Sequence, residues 1–343
     1  VTDANEIIAR ADAKSGKLHY VKIPHAAAYT PQDRTAGSWT PCTTATAAKF
    51  TAAGYFFAEM LNDVLGVPVG IIDCSWGGSR VESWMSREVL SGYSDIDLTE
   101  EGISRVAQHL RPMVMYNAML RPVAGYTVRG FLWYQGESNV GRYMDYAARL
   151  ADMVSLWRGL WGRDDLPFYY VEIAPFEYGN GKSPYLREAQ CRAQELIPNS
   201  GMICTNDLVE HYEFCNVHPK NKRDVGYRLA FMALNKTYGM KEIACQSPQY
   251  ESMEIRDGKA RIRFKYMDQG FNRMADIRGF EICGADKVFY PADAVVENQF
   301  ALVVSSEKVP EPVAVRYCFH DFQPGNLADT RELPVVPFRT DDF

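Results

Sequence analysis

The chain has 343 residues, 47% of them hydrophobic and 23% charged, with a net charge of −6 at pH 7. That size suits about two globular domains with a substantial core. No run of Lys or Arg is present to neutralise phosphates, and no stretch reaches the ~20 apolar residues of a membrane helix, so nucleic acid and a membrane span are both excluded as partners.

The sequence opens Val1-Thr2-Asp3, without a basic segment or an apolar signal core, which reads as a processed or trimmed start. LHYVKI near residue 20 is strand-like. From 48 to 65, AKFTAAGYFFAEMLNDVL places apolar residues at helical spacing, and Gly66 stands where a helix C-terminus favours glycine. VPVGIIDCSWGG then reads as a buried strand entering a glycine turn, and residues 128–134 as a second buried strand.

YMDYAARLADMVSLWRGLWG is a long amphipathic helix, PFYYVEIAP a strand, PYLREAQCRAQEL a helix, GMICTND a strand and KRDVGYRLAFMALNKTYG a helix. Alternating strands and helices, with strands that are near-continuous apolar runs, predict a parallel sheet covered on both faces. Sites in such sheets form at the carboxyl ends of the strands. That rule selects four loops: SWGGS, QGESN, APFEYGN and the stretch from ND to HPKN.

From residue 245 the pattern changes. KARIRFKYM alternates Ile262, Phe264 and Tyr266 with Arg261, Arg263 and Lys265, the mark of an antiparallel strand with one wet face. GFEIC, FALVVSS and VAVRYCF follow at strand length. The expected division is an α/β unit over 1–244 and a β-rich unit over 245–343.

The eight cysteines, at 42, 74, 191, 204, 215, 245, 283 and 318, form no C-x-x-C pair and no zinc-like spacing with histidine, so no metal site is expected. Those in apolar strands, Cys74, Cys204, Cys283 and Cys318, suit buried thiols.

Of six histidines, His19 and His320 lie among strand residues and suit structural roles, and His25, His109 and His211 have no supporting pattern. His218 differs, because NVHPKNK places it after a strand, before a helix and beside a stiffening proline, where a general base is well held. The adjacent glycines Gly77 and Gly78 offer backbone N–H groups suited to an oxyanion. Gln135 adds a side-chain amide donor, while Glu137 and Asn139 support substrate or brace the loop. A glycosidase using Glu137 and Glu172 as paired carboxylates is an alternative, though it leaves His218 and the glycine turn without a role.

Together, GVPVGIIDCSWGGSRVESWMS, YNAMLRPVAGYTVRGFLWYQGESN, NVHPKNKRDVGYRLA and the terminal AVRYCFHDFQPGNL...LPVVPFRTD resemble the sialate O-acetylesterase group of SGNH-type hydrolases. The resemblance implies a three-layer α/β fold and deacetylation of an acetylated sugar through a serine ester, without metal or organic cofactor. It makes His218 the base, Gly77–Gly78 an oxyanion contributor, and Gln135 with its loop a further donor and substrate support. Glu82 and Trp84 match positions beside the glycine turn and receive no role.

Relatives in that group carry the serine in a Gly-Gln-Ser-Asn segment ending a first, central strand, and this chain has none. The expectation is that the strand and its serine belong to a missing N-terminal fragment, or to a separate piece; Ser75 and Ser138 are the remaining candidates. Where related hydrolases place Asp before the histidine, Cys215 and Asn216 stand instead. His218 Nδ1–H is therefore expected to donate to a carbonyl near Cys215, and a carboxylate such as Asp207 or Glu213 at that nitrogen would refute it.

The resemblance also implies a secreted or periplasmic protein. Its sugar is a sialate or, for an acetylxylan-type esterase, a plant polysaccharide unit. A catalytically incomplete carbohydrate-binding protein, with twenty Tyr and six Trp for stacking, is the non-enzymatic alternative.

Overall fold

A computed structural model describes residues 4–272 and 276–343; the opening Val1-Thr2-Asp3 lies outside them. The first helix, α1 (Ala4–Ala11), leads into β1 (Leu18–Lys22) and the short β2 (Thr40–Pro41). Helix α2 (Ala52–Leu65) ends as expected at Gly66, whose φ of 69° is left-handed and whose N–H bonds the Asn62 carbonyl. It delivers the chain to β3 (Val69–Asp73), which pairs in parallel with β1 from Leu18 opposite Val69 to Lys22 opposite Asp73. With β2 antiparallel on the far edge of β1, the order is β2-β1-β3.

Two short helices, α3 (Arg87–Leu90) and α4 (Glu100–Ser104), precede β4 (Phe131–Tyr134). Then β5 (Phe168–Val171) and β6 (Ser200–Ile203) alternate with α5 (Tyr146–Trp161), α6 (Ser183–Leu196) and α7 (Arg223–Lys236). The strands form a second parallel sheet in the order β4-β5-β6.

Helices cover both faces, as the near-continuous apolar strands require. On one face Met153, Val154 and Trp157 of α5 and Leu186 of α6 pack with Trp133, Phe168 and Tyr170. On the other, Leu61 of α2 and Val225 and Leu229 of α7 pack with Tyr169 and Val171. Both cores run on into the first sheet, for Ile72 and Cys74 join the former and Val69 the latter. The two sheets are therefore parts of one layer.

Yet β3 and β4 do not pair. Val69 N–H bonds Lys17 O and Asp73 O accepts from Ile23, so 69, 71 and 73 face β1; alternation turns the backbone of Gly70 and Ile72 the other way. Likewise Phe131 N–H bonds Pro167 O, which turns Leu132 and Tyr134 away from β5. The result is a slot flanked by two open strand edges. It corrects the sequence reading of 69–73 and 128–134 as buried strands: β5 and β6 are buried throughout, whereas β3 has no fully buried residue and β4 has one, Trp133. A large apolar side chain gains about 1.5–3 kcal/mol on full burial, part of which Ile71, Ile72, Phe131 and Leu132 forgo.

After residue 245 the strands are antiparallel. One sheet has the order β11-β12-β8-β7, built from β7 (Gln249–Arg256), β8 (Lys259–Lys265), β11 (Asp293–Glu297) and β12 (Ala301–Ser305). The other runs β10-β9-β13-β14, from β9 (Phe280–Cys283), β10 (Phe289–Pro291), β13 (Ala314–Tyr317) and β14 (Phe338–Arg339). Ile262, Phe264, Ile282, Leu302, Val315 and Phe338 share one core between the sheets. Tyr266 departs from the expected alternation: it lies past the end of β8 with φ 62° and is exposed.

These strands hold the α/β layer through polar contacts. The buried Arg187 of α6 donates to the carbonyls of Cys318 and His320, and Arg339 forms a two-point pair with Glu188. Asp321 accepts N–H bonds from Asn180, Gly181 and Ser183, which fixes the loop after β5.

Candidate active site

The loops that follow β3 and β4 are tied together across the mouth of the slot. Ser138 Oγ donates to Gly78 O at 2.7 Å, Gln135 Nε2 to Ser79 O at 3.0 Å, and Arg80 Nε to Ser138 O at 3.3 Å. Asn139 Oδ1 accepts from Val81 N–H and from Gln135 Nε2, while its Nδ2 donates to Glu82 at 2.9 Å. Glu82 in turn pairs with the wholly buried Arg149 of α5 and with Arg142, and both arginines reach Asp95. Tyr146 donates to Gln135 Oε1, completing the set.

This arrangement decides what most of the QGESN loop does. Both Gln135 amide hydrogens are engaged and the side chain is buried, so Gln135 braces the loop and is not available as the oxyanion donor expected of it. Asn139, fully buried, does the same, and Glu82, the position left without a role, is the anchor. Gly136 permits the turn: a Cβ there would lie 2.6 Å from Ile173 Cγ2 and 3.0 Å from Gln190 Nε2.

The glycine turn has the opposite character. The N–H groups of Gly77 and Gly78 have no hydrogen-bond partner among the described residues, and space above Gly77 is open. Gly78 has φ +75°, and a Cβ there would meet the His109 ring at 3.3 Å, so this histidine backs the turn. Nothing in the sequence around His109 signals that role.

His218 is exposed, its N–H bonds Asn216 Oδ1 at 3.1 Å, and its ring makes no hydrogen bond among the described residues. The expected tie to a carbonyl near Cys215 is not formed. Neither suggested carboxylate is at the ring: Asp207 makes a two-point pair with Arg228, and Glu213 accepts N–H groups of Glu210 and Lys220. The carboxyl that feels the histidine is Glu137. Burial pushes Glu137 up from its ordinary value, while its own N–H and the charges of His218 and Lys222 pull it down. Lys222, one turn beyond His218, moors this segment to β4 by donating to Tyr134 Oη at 3.2 Å.

The two candidate serines are occupied. Ser75 Oγ donates to Asp73, which also accepts from Tyr20 and Lys22, and Ser138 Oγ donates to the Gly78 carbonyl. Neither hydroxyl bonds a histidine. Glu172 is wholly buried, taking Cys204 Sγ–H and Thr205 N–H on one oxygen, so it cannot meet a sugar beside Glu137 and the glycosidase alternative fails. Among the described residues, no group of three or more His, Cys, Asp or Glu could hold a metal ion, and no helix is long and apolar enough to cross a membrane.

Residues 24–235 match the family described as carbohydrate esterase, sialic acid-specific acetylesterase. The chain belongs to that family. Mouse sialate O-acetylesterase is 27% identical over 316 residues, covering 78% of this chain and 58% of the mouse protein. The human sialate O-acetylesterase is 28% identical over 254 residues, 69% of this chain and 49% of its own length. The chain thus spans about half the length of the curated relatives it matches. Among solved structures, a carbohydrate acetylesterase from Xanthomonas citri superposes with a TM-score of 0.89 at 33% identity, covering all of this chain and 77% of the other. The sequence expectation of a three-layer α/β esterase fold with β-rich strands at the C-terminal end agrees with that structure.

Proposed function

We propose that this family member acts in carbohydrate O-acetyl ester hydrolysis, with His218 as base and the Gly77–Gly78 amides as oxyanion donors. The observation that carries the reading is the pair of unpartnered N–H groups at a strand end, in a turn fixed from behind by His109 and from the side by the QGESN loop. A serine Oγ attacks the acetyl carbonyl carbon as its proton passes to the imidazole. The carbonyl oxygen, now negative, is held by the glycine amides. Collapse releases the sugar hydroxyl with that proton, and water then frees acetate from the serine ester by the same route.

The serine in this proposal is neither Ser75 nor Ser138. It comes on an extended segment seated between β3 and β4, where two open parallel edges and apolar side chains on both faces suit one further strand. Its carboxyl end would emerge between Gly77 and His218. The division near residue 245 is part of the same reading, supported by the change from parallel to antiparallel strands. A secreted or periplasmic setting rests on the family resemblance, and cell fractionation tests it.

The test is to inactivate the full-length protein with a phosphonate ester and locate the adduct by mass spectrometry, alongside acetate release from acetylated sugars. A serine other than Ser75 and Ser138 should carry the phosphonate. An adduct on either of those two, or no acetate release by full-length protein, would overturn the proposal.

A further inference from the structure

The loop after β5 and the turn at 320–323 border an open recess of about 470 Å³, lined by Glu177, Gly181, His320, Asp321, Phe322 and Gln323 among others. We propose that it is the sugar subsite, and that it takes a neutral acetylated saccharide in preference to an anionic one; this rests on the esterase reading above.

Its place in the fold ties it to the reaction centre. The loop leaves the carboxyl end of β5, on the same rim as the glycine turn. Glu177 N–H donates to Phe214 O at 2.8 Å, only four residues before His218, and the Phe214 and Phe322 rings meet edge-on at 6.4 Å. Tyr178, beside Glu177, feels the charge of Glu137 after burial, and both raise its phenol above the ordinary value. The recess is therefore tied to the segment that carries His218, and the turn after β13 builds one wall of it.

Its chemistry suits a saccharide. Phe322 presents an aromatic ring of the kind that packs on the C–H face of a pyranose. Gln323 Oε1 is a buried acceptor with no partner among the described residues, and a ligand hydroxyl would supply the missing donor.

Its charge opposes an acid sugar. Asp321 stays ionised: burial opposes its charge, but N–H bonds from Gly181, Asn180 and Ser183 and the Ser183 hydroxyl outweigh that and hold it below the usual range. Glu177 adds a second carboxylate. His320, the one basic group of the lining, is already bonded to Glu281 at 2.7 Å, and Arg187 lies buried behind it, donating to Asn206 and to two carbonyls. A sialate carboxylate would face two like charges, with the basic residue of the lining already paired to Glu281.

Calorimetric titration tests this with the 343-residue protein, using an acetylated xylo-oligosaccharide and an O-acetylated N-acetylneuraminic acid. The neutral ligand should bind at least about tenfold more tightly, and Phe322→Ala should weaken it by about tenfold. The exposed Glu177→Gln should narrow the preference by strengthening sialate binding. Tighter or equal binding of the sialate, or binding of neither ligand, would overturn the inference. So would neutral-ligand affinity unchanged by Phe322→Ala and a preference unchanged by Glu177→Gln, both variants melting as the parent does. Acetate release separates the two proposals: no turnover by full-length protein with the binding preference intact sinks the esterase reading, and turnover without that preference sinks the subsite.

Discussion

The loop after β4 and the glycine turn after β3 lie side by side at one end of the sheet, and both are rich in polar groups. In the first, Gln135 and Asn139 are buried with their hydrogen-bonding groups engaged, and the chain of bonds runs back through Glu82 to Arg149 in the core. In the second, the N–H groups of Gly77 and Gly78 have no partner among the described residues, and His218, whose charge Glu137 feels, has an unbonded ring among them. Buried polar groups are costly unless paired, so a satisfied network holds position, whereas open donors at the surface are ready for a ligand. The difference separates residues that build the site from those proposed to act in it.

The sharpest break of that comparison is His218→Ala in full-length protein. Because the side chain is exposed and unbonded, the melting temperature should stay within about one degree. Ester hydrolysis should fall by about 10²–10⁴-fold in kcat/KM, the range for a general base. Unchanged turnover would remove His218 from the mechanism.

Arg149→Ala probes the other side. Removing one partner of a buried pair costs about 3–5 kcal/mol, because Glu82 then keeps a charge deep in the protein with its tightest partner gone and Arg142, Asn139 and the charge of Arg80 left to answer it. Chemical denaturation should show a loss of that order, and hydrolysis should decline with it as the two loops lose their registry. A loss below about 1 kcal/mol would mean that apolar packing, not the Glu82 network, fixes the loops.

Much of the fold was legible because it rests on periodicity. The helix ending at Gly66, the strand-helix alternation through Lys236 and the change at residue 245 all follow from apolar spacing and turn residues. What sequence could not give was the degree of burial of β3 and β4. VGIID and FLWY look as apolar as FYYV, but burial depends on what sits at the neighbouring edge, and that edge is open.

The site shows the same limit. The glycine turn and His218 could be singled out from local pattern, but the roles of Gln135 and Asn139 depended on partners 56 to 58 residues away. His109 behind Gly78 carried no signal at all. Arg149 did carry one, a cation on the face of α5 that also presents Tyr146, Leu150 and Met153 to the core. A charge in an apolar stripe calls for a buried partner.

Glu172 sharpens the comparison at its smallest scale, because it too stands at a strand end yet is sealed from solvent. One of its oxygens has no partner among the described residues, and burial pushes its carboxyl above the ordinary 4.5, the charge of Arg187 and the bonds from Cys204 and Thr205 only partly opposing this. As pH rises past that value the unfolded chain gives up its proton first, so the native state holds more protons and loses stability until the folded carboxyl also ionises. Each unit between the two values is worth ~1.4 kcal/mol. Glu172→Gln cannot ionise, so its stability relative to the parent should climb over that interval and then level off. Urea denaturation of both proteins at a series of pH values from about 4 upward reads the difference directly; a flat difference would mean that the native protein carries Glu172 charged at no cost, and that burial at a strand end does not by itself set it apart from the open groups of the site.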